Sequence, residues 1–222
     1  MISTKVRVSA TRKKAKSAQS NRTRKIRRLR RSELPVDTVE LARYLIGKTL
    51  VHDSPAGRMS GRIVETEAYP IGDEAGHAFH GLTPANKSLF LRRGHAYVRF
   101  TYGSCWLVNV SSENRGIGGG ALIRAIEPIE GIELMKRHRN VPRFFDLTRG
   151  PGRLTAAMLI DNRFDGMDLV DPKSKLWLGS AVCKPGPIGV STRIGISRAV
   201  HFELRFYERG NPFVSGPGKL RL

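Results

Sequence analysis

Glu65, Glu67 and Tyr69 occupy alternate positions in the run Arg62-Ile63-Val64-Glu65-Thr66-Glu67-Ala68-Tyr69. The run has strand character, and strand side chains alternate between faces. The two carboxylates and the phenol are therefore expected on one face, with Val64, Thr66 and Ala68 on the other. Paired acids beside a hydroxyl suit general acid–base work, and the same spacing suits a solvated strand face. The charge of the chain bears on the choice. Its 222 residues carry 39 Lys/Arg against 19 Asp/Glu, a net of +20. An acid inside a surface that attracts polyanions repels its ligand, so it is tolerated more readily where it does chemistry.

Other candidate groups read more simply. His77 and His80 could be two metal ligands, but no third is evident, and they are taken as pocket and loop residues. Gly116-Ile117-Gly118-Gly119-Gly120 lacks the Gly-Lys-Ser/Thr of a phosphate loop and is read as a flexible turn. Cys105, beside Trp106, is taken as packing rather than as a nucleophile. Lys87 could supply an amine for a Schiff base in a bifunctional lyase. With two cysteines in all, a disulfide framework or a four-cysteine zinc site is excluded, and a reducing compartment is expected.

The elements that must position these groups are short and mixed. Asp37-Thr38-Val39-Glu40 has the form of a capping box, and Val39, Ala42, Leu45 and Ile46 continue at helical spacing to Gly47. Strands are expected at 49–52, 59–69, 95–102, 105–111, 121–126, 176–178, 192–196 and 203–208. Helices are expected at 129–139 and 151–160, the second opened by a proline in its first turn. Residues 70–95 lack periodicity. So long a loop inside a compact domain points to a function. The order is neither a regular βαβ series nor all-β, and it implies one α+β domain around an antiparallel or mixed sheet, flanked by helices. No apolar run is long enough to span a bilayer, and no secretory signal pattern opens the chain.

The first 34 residues hold 13 Lys/Arg against one acid, Glu33. With no aromatic and few apolar residues, residues 1–34 are expected to form a disordered basic tail preceding a domain at 35–222. Such a tail suits contact with phosphates, and its Arg-rich, Ser-containing, acid-poor character also suits a targeting segment.

The strand Arg62–Tyr69, followed by Asp73-Glu74-Ala75-Gly76-His77, resembles the signature of the alkyladenine (methylpurine) DNA glycosylases of base excision repair. Further matches follow in family order: Thr83-Pro84-Ala85-Asn86, Tyr97-Val98, Tyr102-Gly103, Asn109-Val110-Ser111-Ser112, Leu122 to Pro128, Gly150 to Leu154, Arg193 to Ile196 and Arg205-Phe206-Tyr207. The resemblance covers roughly residues 38–215. It implies a formyltransferase C-terminal-like fold with a curved antiparallel sheet, no metal and no cofactor. It also implies hydrolysis of the N-glycosidic bond of damaged purines in double-stranded DNA by a monofunctional enzyme. Glu67 falls on the base that activates water, and Arg124 on an arginine that helps hold that water. Tyr69 and His77 fall on the walls of a pocket for a flipped base, Asn109 on a residue that disfavours guanine, and Tyr102 on the aromatic wedge that fills the vacated stack. Action as a monomer is expected, away from membranes. The expected location is the nucleoid-bearing cytoplasm in a bacterium, or the nucleus or an organelle in a eukaryote.

One position departs from the family pattern. Where a second tyrosine is usual, this chain has Tyr97-Val98-Arg99. A guanidinium can stack on a base, but it repels a cationic one, so neutral purine lesions are expected to be favoured over charged ones. Arg99 could instead turn to phosphate or pair with Glu65. The competing reading of the whole chain is a non-catalytic basic nucleic-acid-binding protein with a decayed pocket. Retention of Glu67, Tyr69, His77, Tyr102, Asn109 and Arg124 argues against it.

Overall fold

The computed structural model describes residues 25–101 and 103–218. Helix α1 (Thr38–Leu45) starts where the capping box predicts. The Asp37 carboxylate accepts from the Glu40 N–H at 2.8 Å, and Leu41, Ala42 and Leu45 are fully buried. After a turn at Gly47 come β1 (Thr49–Ser54) and β2 (Gly57–Tyr69), joined by a tight hairpin. β3 (Ala96–Thr101), β4 (Cys105–Ser111) and β5 (Gly120–Glu130) follow the long loop. Then come α2 (Ile132–His138), α3 (Pro151–Met158), β6 (Leu176–Gly179), β7 (Ile188–Ser191) and β8 (Arg205–Glu208).

All eight strands form one antiparallel sheet in the order β3-β4-β5-β2-β1-β6, with β7 and β8 added beside β2. The sheet curves into a half-barrel, the curved antiparallel sheet that the family resemblance implies. β2 is its spine. Its first half pairs with β1, its second with β8, and β5 runs along its other edge. One face of the sheet carries Ala68, Ala96, Val98, Val108, Val110, Ala121 and Ile123 into the main core with α1 and α3. The opposite face carries Tyr97, Arg99, Leu107, Asn109, Leu122 and Arg124 into a cavity.

Two bulges interrupt β2 and β5 at the point that matters. Ile63 pairs with Ile126 and Glu65 with Ala125, which leaves Val64 extra. Thr66 pairs with Ile123, which leaves Arg124 extra. Bulges re-aim side chains and sharpen local twist. Val64 is consequently not on the face of Ala68 as strict alternation predicts. It packs with Ala125, Tyr207, Phe213 and Val214 in a small second core.

Three further expectations are corrected. Helix α2 begins at Ile132 rather than 129, because β5 continues through Glu130 and Gly131 turns the chain in the left-handed region (φ 71°). The strand expected at 192–196 lies earlier, at β7. Residues 192–196 are irregular, with Gly195 at φ 77°, and the Ile194 N–H is given to a side chain instead of a ladder. The disordered tail does not extend to residue 34. Leu29 and Leu34 are each 3% exposed, and the Leu29 N–H bonds the Leu178 carbonyl at 2.9 Å. Arg28 lies 4.3 Å over the Trp177 ring, and Arg27 and Arg31 pair with Glu33 and Asp168. Two leucines to bury and acids to pair suffice to hold this stretch on the domain. The remainder of the expected tail, residues 1–24, lies outside the described residues, as does Tyr102.

Candidate active site

The cavity has a volume of about 1010 Å³ and opens on the uncovered face of β3, β4 and β5. Its walls come from four sources. The sheet supplies Tyr97, Arg99, Asn109, Leu122 and Arg124; the loop after β2 supplies Gly76, His77 and His80; and residues 194–198 close a third side. Gly150, Gly152 and Arg153, at the start of α3, border the same space. Tyr69, His77, Arg99, Asn109 and Arg124, five of the positions expected from sequence, thus meet in one place. Lys87 does not join them. It opens a 3-10 turn, and it is not among the residues lining the cavity.

Glu67 lies beneath this space and is fully buried. Three donors hold its carboxylate. The Ile194 N–H reaches Oε1 at 2.8 Å, the Tyr69 hydroxyl reaches Oε2 at 3.0 Å, and Arg124 Nη1 lies 3.1 Å from Oε2. All three donors belong to residues that line the cavity. Burial works against the Arg124 charge, but the carboxylates of Glu67 and Glu65 outweigh it and raise its pKa. Burial, and then the negative charge of Glu67, push the Tyr69 phenol well above its ordinary value, so the hydroxyl remains a donor.

Glu65, on the same strand, does different work. Its carboxylate accepts from Arg124 Nε at 3.0 Å, Arg205 Nε at 2.7 Å, and the Ser215 N–H and hydroxyl at 2.7 and 2.9 Å. A group so fully occupied and so deeply buried is a support for Arg124. The pairing of Arg99 with Glu65 does not occur. Arg99 Nε donates to the Thr101 hydroxyl at 2.9 Å, and its Nη1 meets His77 Nδ1. The Asn109 amide donates to the Tyr97 carbonyl at 3.3 Å.

Sequence reasoning assigned no role to the Asp73–Arg193 pair, which locks the loop after β2 to residues 192–196. Arg193 contacts both Asp73 oxygens, donates to the Ala68 carbonyl at 3.0 Å, and lies 4.7 Å over the Tyr69 ring. Its neighbour Ile194 is thereby held with its N–H on Glu67. The signal was present in two quoted motifs, Asp73–His77 and Arg193–Ile196, but sequence separation hid the contact. Among the described residues, no group of three or more His, Cys, Asp or Glu gathers as metal ligands would.

Comparison with known proteins identifies the family of this chain. Residues 32–212 match the family described as Methylpurine-DNA glycosylase. The chain is 61% identical over 191 residues to a protein of Mesorhizobium japonicum named "Putative 3-methyladenine DNA glycosylase", covering 86% of this chain and 91% of that one. A protein of the same name from Paraburkholderia phytofirmans is 56% identical over 192 residues, 86% of this chain and 90% of its own. The chain therefore belongs to the methylpurine-DNA glycosylase family, hydrolases that act on DNA in its repair.

Proposed function

We propose that this enzyme removes damaged purines from double-stranded DNA by receiving the flipped nucleotide in the cavity and hydrolysing its N-glycosidic bond with a water activated by Glu67. The observation that carries the reading is the Glu67 carboxylate, buried at the cavity floor under Tyr69, Arg124 and Ile194. The C1′–N bond is shielded inside a stacked duplex, so the nucleotide must leave the stack before it can be attacked. Tyr69 offers a flat face to a base, and Arg139, Arg153 and Arg198 border the opening where phosphates would lie.

In the step itself the water oxygen bonds to C1′ as the C1′–N bond breaks. The bonding pair leaves with the base, and the water proton passes to Glu67. The transition state resembles an oxocarbenium ion, so a carboxylate nearby stabilises it as well as activating the water. Arg124 limits where the carboxylate and its water can sit. Tyr102 is the wedge for the emptied stack in this reading. In this reading the enzyme acts as a monomer in a nucleoid-bearing cytoplasm.

The test is incubation with duplexes bearing hypoxanthine or 7-methylguanine, followed by alkali. Breaks at the lesion that appear only after alkali, and beyond those of an enzyme-free control, are expected of a monofunctional glycosylase. Absence of breaks with both lesions would contradict the reading.

A further inference from the structure

Among the described residues, one cation of the cavity has no carboxylate partner. Arg99 sits in β3 on the cavity face, and its partners among the described residues are a hydroxyl and an imidazole, Thr101 and His77. Among the described residues, Glu74 is the one carboxylate on the cavity wall, and it is exposed and makes no ion pair with Arg99. The other deep cation on the wall, Arg124, is already committed to Glu65 and Glu67.

Arg99 also decides the state of its neighbour. A guanidinium has donors and no acceptor, so the His77 Nδ1 that it meets must accept. The Tyr97 hydroxyl, 3.2 Å from the same nitrogen, must then donate to it as well. His77 is thereby the neutral tautomer with its hydrogen on Nε2. Burial and the Arg99 charge hold its pKa down to about 4, so the ring stays neutral through the physiological range. This side of the cavity therefore offers N–H donors and positive charge.

We propose that Arg99, together with the His77 tautomer it imposes, is the specificity determinant of this site, selecting neutral purines with a hydrogen-bond-accepting edge, such as a 6-oxopurine, over purines that carry a formal positive charge. The inference rests on the base-excision reading above. Its electrostatics act at two stages. A cationic purine meets Arg99 as a like charge on entry, which weakens capture. A neutral purine accumulates negative charge as the C1′–N bond breaks and its electron pair departs, so Arg99 stabilises that transition state. Both effects appear in the second-order constant for excision, kst/K½, whereas the saturated rate alone would miss the first.

The experiment measures single-turnover excision of hypoxanthine and 7-methylguanine across enzyme concentration for the wild type, Arg99→Gln and Arg99→Lys. Removing the charge in Arg99→Gln should raise the 7-methylguanine to hypoxanthine ratio of kst/K½ by roughly 5- to 30-fold, the remainder of a close like-charge repulsion after screening. Arg99→Lys keeps the charge but not the fork that meets Thr101 and His77, and should move the ratio clearly less than Arg99→Gln does. Nitrogen-15 correlation spectra of His77 supply a readout independent of activity. Nδ1 should be the unprotonated nitrogen in the wild type, and its pKa should rise in Arg99→Gln. A ratio unmoved in Arg99→Gln, or moved equally in Arg99→Lys, would overturn the selectivity and leave the glycosylase reading standing. A wild type that releases neither base would overturn both.

Discussion

Arg124 Nη1 lies 3.1 Å from Glu67 Oε2 while the same guanidinium is held through Nε by Glu65, 3.0 Å away. One arginine thus joins two carboxylates that stand two residues apart on β2, and the bulge at Arg124 aims it between them. The consequence is a division of labour. Glu65 is saturated by Arg124, Arg205 and Ser215, whereas Glu67 is turned toward cavity-lining groups.

Glu65→Gln should therefore destabilise the fold rather than alter the chemistry selectively. It leaves two buried guanidiniums around an amide, and breaking a buried ion pair on one side costs about 3–5 kcal/mol. Urea unfolding of wild type and variant measures this. A loss below about 1 kcal/mol would mean that Arg205 and Arg124 find other partners.

The Asp73–Arg193 pair makes a different prediction, because its effect on Glu67 runs through the backbone of Ile194. Asp73→Asn should reduce saturated single-turnover excision by about 10- to 100-fold, the scale expected when a catalytic group is displaced by an ångström. Binding of a lesion duplex should fall much less. Equal losses in rate and binding would show that the pair supports the fold as a whole and has no particular bearing on Glu67.

Much of this site was legible before the structure. Tyr69, Arg99 and Asn109 converge because period-2 alternation survives in β3, in β4 and along the last residues of β2, whereas His77 on a loop and Arg124 at a bulge were indicated by the family resemblance and not by periodicity. Alternation failed at Val64, where a bulge adds a residue that no local propensity announces. It failed again at 192–196, where Thr192 and Ile194 suggested a strand but the Ile194 N–H answers to a carboxylate 127 residues away. The basic stretch before residue 35 was misjudged in part because composition counts charges without showing that Glu33 and Asp168 neutralise two of them.

His77 ties stability to pH. Its pKa is about 4 in the folded protein against 6.5 ordinarily, so between these values the unfolded chain binds more protons than the native one. Stability should be full above about pH 6.5 and fall as the pH drops toward 4. The ring is partly open to solvent, which limits the contribution to about 1 kcal/mol. Melting temperatures of wild type and His77→Gln from pH 7 to 4 should converge toward the acid end. Parallel curves would contradict the assignment.

Residues 1–24 carry eight Lys/Arg and no acid. Their deletion, which spares the packed stretch from Lys25 onward, should weaken DNA binding and flatten its salt dependence. Each phosphate contact on B-DNA contributes about 0.9 to the slope of log K against log salt. Saturated single-turnover excision should be unchanged, since none of the motifs that carry the family resemblance falls in this stretch. A slope equal to that of the full chain would show that these residues do not contact DNA.

The central claim is that Glu67 is the base, and Glu67→Gln tests it most directly. The amide keeps the size of the side chain and can still accept from the Ile194 N–H, but it cannot take a proton from water. Single-turnover release of hypoxanthine should fall by roughly 10² to 10⁴, the worth of a positioned general base, while lesion-duplex binding stays within about tenfold of wild type. Near-normal single-turnover release by Glu67→Gln would contradict the account.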